Sequence, residues 1–236
     1  MTNRGIHLLF QRLFSVTLGI GFVATLGALP WFGSAAVLAL SLAVYAFWPV
    51  PAPAHGALRY RRGAAVIGPD MMGLVLVSAF FGVPLIASRI EGGLHPSSVL
   101  VWPVGAVFVA LLVIGWRRDA FALNIDAKGL RADTGLRHVE MRFDRIEAVE
   151  PWRGDLVRKI RPLAPLLVAA GQPGAAGALM VSRESRGVAL VGTDGERWVI
   201  PGDAFEKGIE VLLTACEAHG VAFRSAGAGD ATPKDG

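Results

Sequence analysis

Four apolar stretches occupy the first half of this chain, and the arginines beside them sort to one side. The stretches are residues 13–31, 34–50, 71–88 and 98–116. A helix rises about 1.5 Å per residue, so about 20 residues cross the hydrocarbon of a bilayer. The first, third and fourth stretches have that length. The second is short, ends at Pro49, and is predicted to form a tight helical hairpin with the first through the uncharged turn from Pro30 to Ser34. Arg4 and Arg12 precede the first stretch, Arg59, Arg61 and Arg62 lie between the second and third, and Arg117 and Arg118 follow the fourth. Between the third and fourth lies a single basic residue of that kind, Arg89, with Glu91 and His95. Basic residues collect on the cytoplasmic side of membrane proteins, so the pattern predicts four transmembrane helices with both termini in the cytoplasm.

The flanks and the spans carry further signals. Trp31 and Trp102 fall at one set of ends and Trp48 and Trp116 at the other, where indole favours the headgroup level. Ala35, Ala39 and Ala43 recur at four-residue spacing, a stripe that would let another helix approach closely. Pro84 inside the third stretch predicts a kink. Ionisable residues are missing from the depth of all four stretches, with Asp70 and Glu91 at their ends. Transport usually needs an ionisable group at depth, so the bundle reads as an anchor or a docking surface. The stretch from Leu58 to Ile67 has strand character and three arginines, which suits either the headgroups or the domain that follows.

Composition agrees once it is mapped. The apolar content of 53% and mean hydropathy of +0.50 exceed those of ordinary soluble domains. The isoelectric point of about 9.7 invites a nucleic-acid reading. Yet residues 1–116 hold 6 Arg against 2 acids, while the remainder holds 17 Lys and Arg against 17 acids. The basicity belongs to the membrane flanks and forms no stripe for a phosphate backbone, so no nucleic-acid partner is expected. One cysteine, Cys216, excludes a disulfide framework within the chain, in keeping with a cytoplasmic domain. The start has a long apolar core with no small-residue cleavage pattern behind it, and reads as a retained anchor.

From Phe121 the period changes to two. Phe121, Leu123 and Ile125 alternate with polar or small residues, and Val139, Met141 and Phe143 alternate with charged ones, as half-buried strands do. Turns are predicted at Ala127–Gly129 and Thr134–Gly135, and at Thr193–Gly195 between strands 188–191 and 198–200. With 130–133, 146–152 and 178–182 this makes about seven strands. A closing helix is predicted from Asp203 as N-cap, with Glu206 completing a capping box, to Gly220 as the stop. Its apolar face is Phe205, Ile209, Leu212, Leu213 and Cys216. After Arg224 the tail, residues 225–236, has nothing to bury and reads as disordered.

Seven strands followed by one amphipathic helix is the order of a pleckstrin-homology-like barrel. In NIDAKGLRA (124–132), RFDRIEAVEP (142–151) and GERWVIPGDAFEKGIEVLLTAC (195–216) the chain resembles the bacterial PH-like membrane proteins. In those, a few transmembrane helices carry such a domain. The resemblance covers about residues 119–220, and implies binding or assembly rather than catalysis. The expected organisation is a four-helix transmembrane region (1–118), a cytoplasmic PH-like domain (119–224) and the tail.

The sequence offers one candidate contact site and no catalytic one. Arg153, Arg158, Lys159 and Arg161 precede Pro162 and the apolar run containing Leu163, Leu166 and Leu167. Such a segment suits a membrane interface or a partner surface, or simply a solvated loop with one packed helical turn. A fifth span over 163–181 is opposed by Pro165, Gln172, Pro173 and the intervening glycines. Cys216 and His219 stand three apart on one helix, but a nucleophile also needs an orienting group and an oxyanion site. The other histidines show no metal spacing, and no phosphate loop is present, so neither enzyme activity nor a cofactor is expected. The expectation is a bacterial inner-membrane protein, multi-pass, whose soluble part binds or scaffolds anionic lipid headgroups or a membrane protein complex. The alternative is a small membrane enzyme or transporter with an unrecognised site.

Overall fold

The computed structural model describes residues 1–153, 186–202, 205 and 208–224. Helices α1 (Asn3–Thr25), α2 (Trp31–Phe47), α3 (Gly68–Glu91) and α4 (Ser98–Ala120) come first. Strands β1 (Phe121–Asp126), β2 (Gly129–Thr134), β3 (His138–Arg142), β4 (Ile146–Arg153), β5 (Arg186–Gly192) and β6 (Arg197–Pro201) follow, then α5 (Glu210–Ala218) and β7 (Ala222–Phe223). The chain divides into two compact units. One holds Met1–Asn124 with Arg131–Val139, the other Ile125–Leu130 with the chain from Glu140 onward.

In the first unit, α1, α3 with the turn before it, and α4 are each long and apolar enough to cross a membrane, and α2 is a shorter apolar helix of 17 residues. Much of their apolar surface faces outward: Val75 is 67% exposed, Leu100 77% and Val107 70%. Water would penalise that surface and lipid would not. Contacts between helices run through small residues. Ser41 Oγ donates to the Ser15 carbonyl at 2.8 Å. A Cβ on Gly73 would lie 2.8 Å from Leu112 Cγ, and one on Gly105 2.7 Å from Phe81 Cε2. Leu74, Val77 and Leu112 form the apolar centre, with Val16, Tyr45 and Phe108 against it.

Several sequence readings change here. Helix α1 starts ten residues before the first predicted stretch, because the Thr2 hydroxyl accepts from the Gly5 N–H at 3.1 Å and caps it. The alanine stripe is not the packed face of α2, since Ala35 and Ala39 are exposed while Ser34 and Ser41 are buried. Trp116 is core rather than a headgroup marker. It is 7% exposed, packs with Leu8 and Ala120, and donates from Nε1 to the Gly5 carbonyl at 2.8 Å. In the stretch 58–67, Leu58 bridges Leu123 in antiparallel pairing, Tyr60 is also a bridge residue, and a π-helical turn over Arg62–Ile67 leads into α3.

The strands match the predicted order, apart from 178–182, which lies outside the described residues. They form two sheets among the described residues, β1-β2-β3 and β6-β5-β4-β7, and the sheets are not closed into a barrel. The predicted turns are present, with Gly135 (φ 77°) and Gly195 (φ 82°) in the left-handed region that glycine tolerates. β5 and β6 pair antiparallel with Val188 opposite Ile200.

The closing helix is shorter than predicted. Asp203 and Glu206 lie outside the described residues, and Gly208 at φ 71° cannot belong to an α-helix, so α5 begins at Glu210. Phe205 is buried before the helix rather than on its face. Leu212 and Cys216 are fully buried, as the apolar spacing predicts. At its end, Val221 N–H bonds the Cys216 carbonyl at 3.0 Å and Gly220 N–H the Glu217 carbonyl at 2.9 Å, a Schellman arrangement. The turn delivers β7, absent from the sequence reading, into parallel pairing with β4 (Ala148 with Ala222).

Candidate functional site

The strongest polar constellation among the described residues lies among the helices of the first unit. Arg12 on α1 is 3% exposed and Asp70 at the start of α3 is fully buried. Arg12 Nε donates to Asp70 Oδ1 at 3.1 Å and Nη2 to Oδ2 at 2.5 Å, a bidentate pair. The Tyr45 hydroxyl on α2 donates to the same Oδ2 at 2.6 Å. Arg12 Nη2 also reaches Asp119 Oδ2 at 3.2 Å, near the end of α4. Asp119 in turn lies 3.6 Å from Arg4 Nη2. One carboxylate, Asp70, therefore receives donors from α1 and α2 while sitting on α3, and Arg12 carries the link on to α4.

The local sequence explains this convergence. Arg4, Leu8 and Arg12 recur every four residues, so they line one face of α1. Gly115 on α4 lies directly over Asp70, and any Cβ there would overlap Asp70 Oδ1. Arg4 is held by the carbonyls of Pro51 at 2.8 Å and Asp119 at 2.9 Å. Gln11 Nε2 donates to the Tyr45 carbonyl. Three buried atoms around the cluster, Arg4 Nε, Gln11 Oε1 and Ser15 Oγ, have no hydrogen-bond partner among the described residues.

Chemically the cluster is self-compensating. Two guanidiniums face two carboxylates, and every oxygen of Asp70 is taken. A group so engaged is a poor proton carrier or ligand donor, but a strong lock, since removing either partner strands a charge away from water. The closeness of Gly115 gives a direct test. Gly115→Ala must push Asp70 or α4 aside, and is expected to lower the thermal midpoint of the detergent-solubilised chain by several degrees. Gly21→Ala, where a Cβ meets open space, should change it little.

The sequence reading missed this cluster. It placed Arg12 and Asp70 in the flanks, where charge sets orientation, and the signal available was the Thr2 cap that extends α1. Of the predicted contact residues, Arg153 ends β4 opposite Arg186. Arg158, Lys159, Arg161, Leu163, Leu166 and Leu167 lie outside the described residues.

Cys216 and His219 occupy separate environments. Burial pushes the Cys216 thiol up to about 11. The His219 ring stacks on Phe143 at 4.0 Å, with Nδ1 2.8 Å from the Ala215 carbonyl and Nε2 3.1 Å from the Ala127 carbonyl. Among the described residues no three His, Cys, Asp or Glu side chains converge as metal ligands. Comparison with protein-family models, curated proteins and solved structures finds no match to the chain.

Proposed function

We propose that this chain is a membrane anchor bearing a cytoplasmic binding or scaffold module. The observation that carries the proposal is the pairing of three long, outward-apolar helices with a strand-rich region closed by α5. In this reading α2 is a fourth span, both termini face the cytoplasm of a bacterial inner membrane, and the strand-rich region is a PH-like module. The basic residues at one set of helix ends support the orientation. The strand order and the helix that follows support the module. The self-compensated Arg12–Asp70–Asp119 set supports an anchor over a transporter, because its charges are engaged with one another.

The test is purification of the full chain from membranes in mild detergent, with identification of stoichiometric partners and retained lipid, beside the Leu212→Asp variant. A partner held by the wild-type chain and lost in a variant still found in the membrane supports a scaffold. Solute or proton flux through the reconstituted chain, with no such partner, supports the transporter reading instead.

A further inference from the structure

We propose that the basic end of the helix bundle is a binding site for anionic phospholipid headgroups, formed by Arg59, Arg61, Arg62, Arg117 and Arg118 around Tyr60. The proposal rests on the reading of α1, α3 and α4 as membrane helices. It places lipid recognition on the anchor itself, apart from the segment 153–167.

The five arginines come from two parts of the chain, residues 59–62 and 117–118, which the contact of Arg118 with Ala65 sets side by side. Arg59 and Arg61 lie in the connection after α2, Arg62 opens the π-helical turn, and Arg117 and Arg118 stand in the last turn of α4. Arg118 Nη1 donates to the Ala65 carbonyl at 3.1 Å, which seats the end of α4 against that turn. The charge of Arg118 acts on the Tyr60 hydroxyl, whose pKa burial raises and Arg118 lowers. Tyr60 is half-buried, its ring edge-on to Phe121 at 5.4 Å.

All five arginines are exposed, and among the described residues none is paired with an acid. Two carboxylates of the same unit, Asp70 and Asp119, are committed to Arg12 and Arg4 inside the bundle. The fold therefore gathers five like charges at one helix end and spends the local acids elsewhere. Guanidinium offers a planar fork of donors that fits phosphate oxygens two at a time, and it keeps its charge in a partly dry interface. Orientation alone requires an excess of positive charge on one side. Two basic segments set side by side, with a half-buried tyrosine in the first of them, are what a phosphate-bearing headgroup would use.

The experiment uses the full chain in neutral detergent and follows its thermal midpoint while phosphatidylglycerol, phosphatidylcholine or inorganic phosphate is added. Phosphatidylglycerol should raise the midpoint, less so at high salt, and the other two should not. The triple variant Arg61→Gln, Arg62→Gln, Arg117→Gln should weaken apparent phosphatidylglycerol affinity on the order of tenfold or more. Arg142→Gln, at a residue already paired with Asp144, should match wild type. If the glutamine variant fails to fold, the Lys triple at the same positions replaces it. Weaker binding there supports fork recognition, and unchanged binding overturns it.

Equal responses to phosphatidylglycerol and phosphatidylcholine, or a full response in the glutamine variant, overturn the site. An equal response to inorganic phosphate overturns the lipid as its source. Recovery of the chain in the soluble fraction without detergent overturns the membrane reading itself.

Discussion

Arg12→Ala is expected to destabilise the helix bundle by about 3–5 kcal/mol, the cost of leaving a buried carboxylate without its counter-ion. Asp70 is fully buried, and its remaining donor would be the Tyr45 hydroxyl at 2.6 Å. Asp119 would keep Arg4 at 3.6 Å, so the loss falls mainly on Asp70. The double variant Arg12→Leu, Asp70→Leu should recover much of the loss, because it removes both charges and leaves apolar volume in a site between helices. Tyr45→Phe removes one hydrogen bond, and should cost nearer 1 kcal/mol. Unfolding in mixed detergent, followed by loss of helical signal, measures all three. A double variant no more stable than Arg12→Ala would mean that the pair holds the helices through geometry rather than charge compensation.

The second large effect lies in the other unit. Leu212→Asp places an unpaired carboxylate at a fully buried position on α5, and should unfold that unit at a cost of several kcal/mol. Cys216, one turn along the same buried face, is a built-in reporter. Its thiol is fully buried and pushed up to about 11, so little thiolate exists at neutral pH and reagents have no access. Wild-type chain should resist maleimide until denatured, whereas Leu212→Asp should label in native buffer. Protection of Cys216 in the variant would show that α5 does not pack through this face.

What the sequence made legible followed from periodicity. The four apolar helices, six of the seven described strands, the turns at Gly135 and Gly195 and the stop at Gly220 all announce themselves by local pattern. What escaped depends on partners distant in the chain. Arg12 and Asp70 are 58 residues apart, and each looks like an ordinary flanking charge until α1 is extended back to Thr2. Trp116 has the position of a headgroup anchor, but its Nε1 finds the Gly5 carbonyl 111 residues away. The start of α5 was misread because a capping-box pattern at Asp203 outweighed Gly208, whose positive φ ends any helix begun before it. The β7 pairing with β4 is two residues long, too short to leave a periodic trace.

The proposed membrane anchor has its α3–α4 loop and its C-terminal region on opposite sides of the bilayer. Single cysteines at Gly93 and Gly229 test it most directly in a Cys216→Ala chain, using a maleimide that cannot cross the membrane. Gly93 sits in the connection between α3 and α4, where a Cβ meets open space, so the substitution itself should be silent. Gly93→Cys should label from outside intact cells, and Gly229→Cys only after the membrane is permeabilised. Labelling of both from the same side would contradict it.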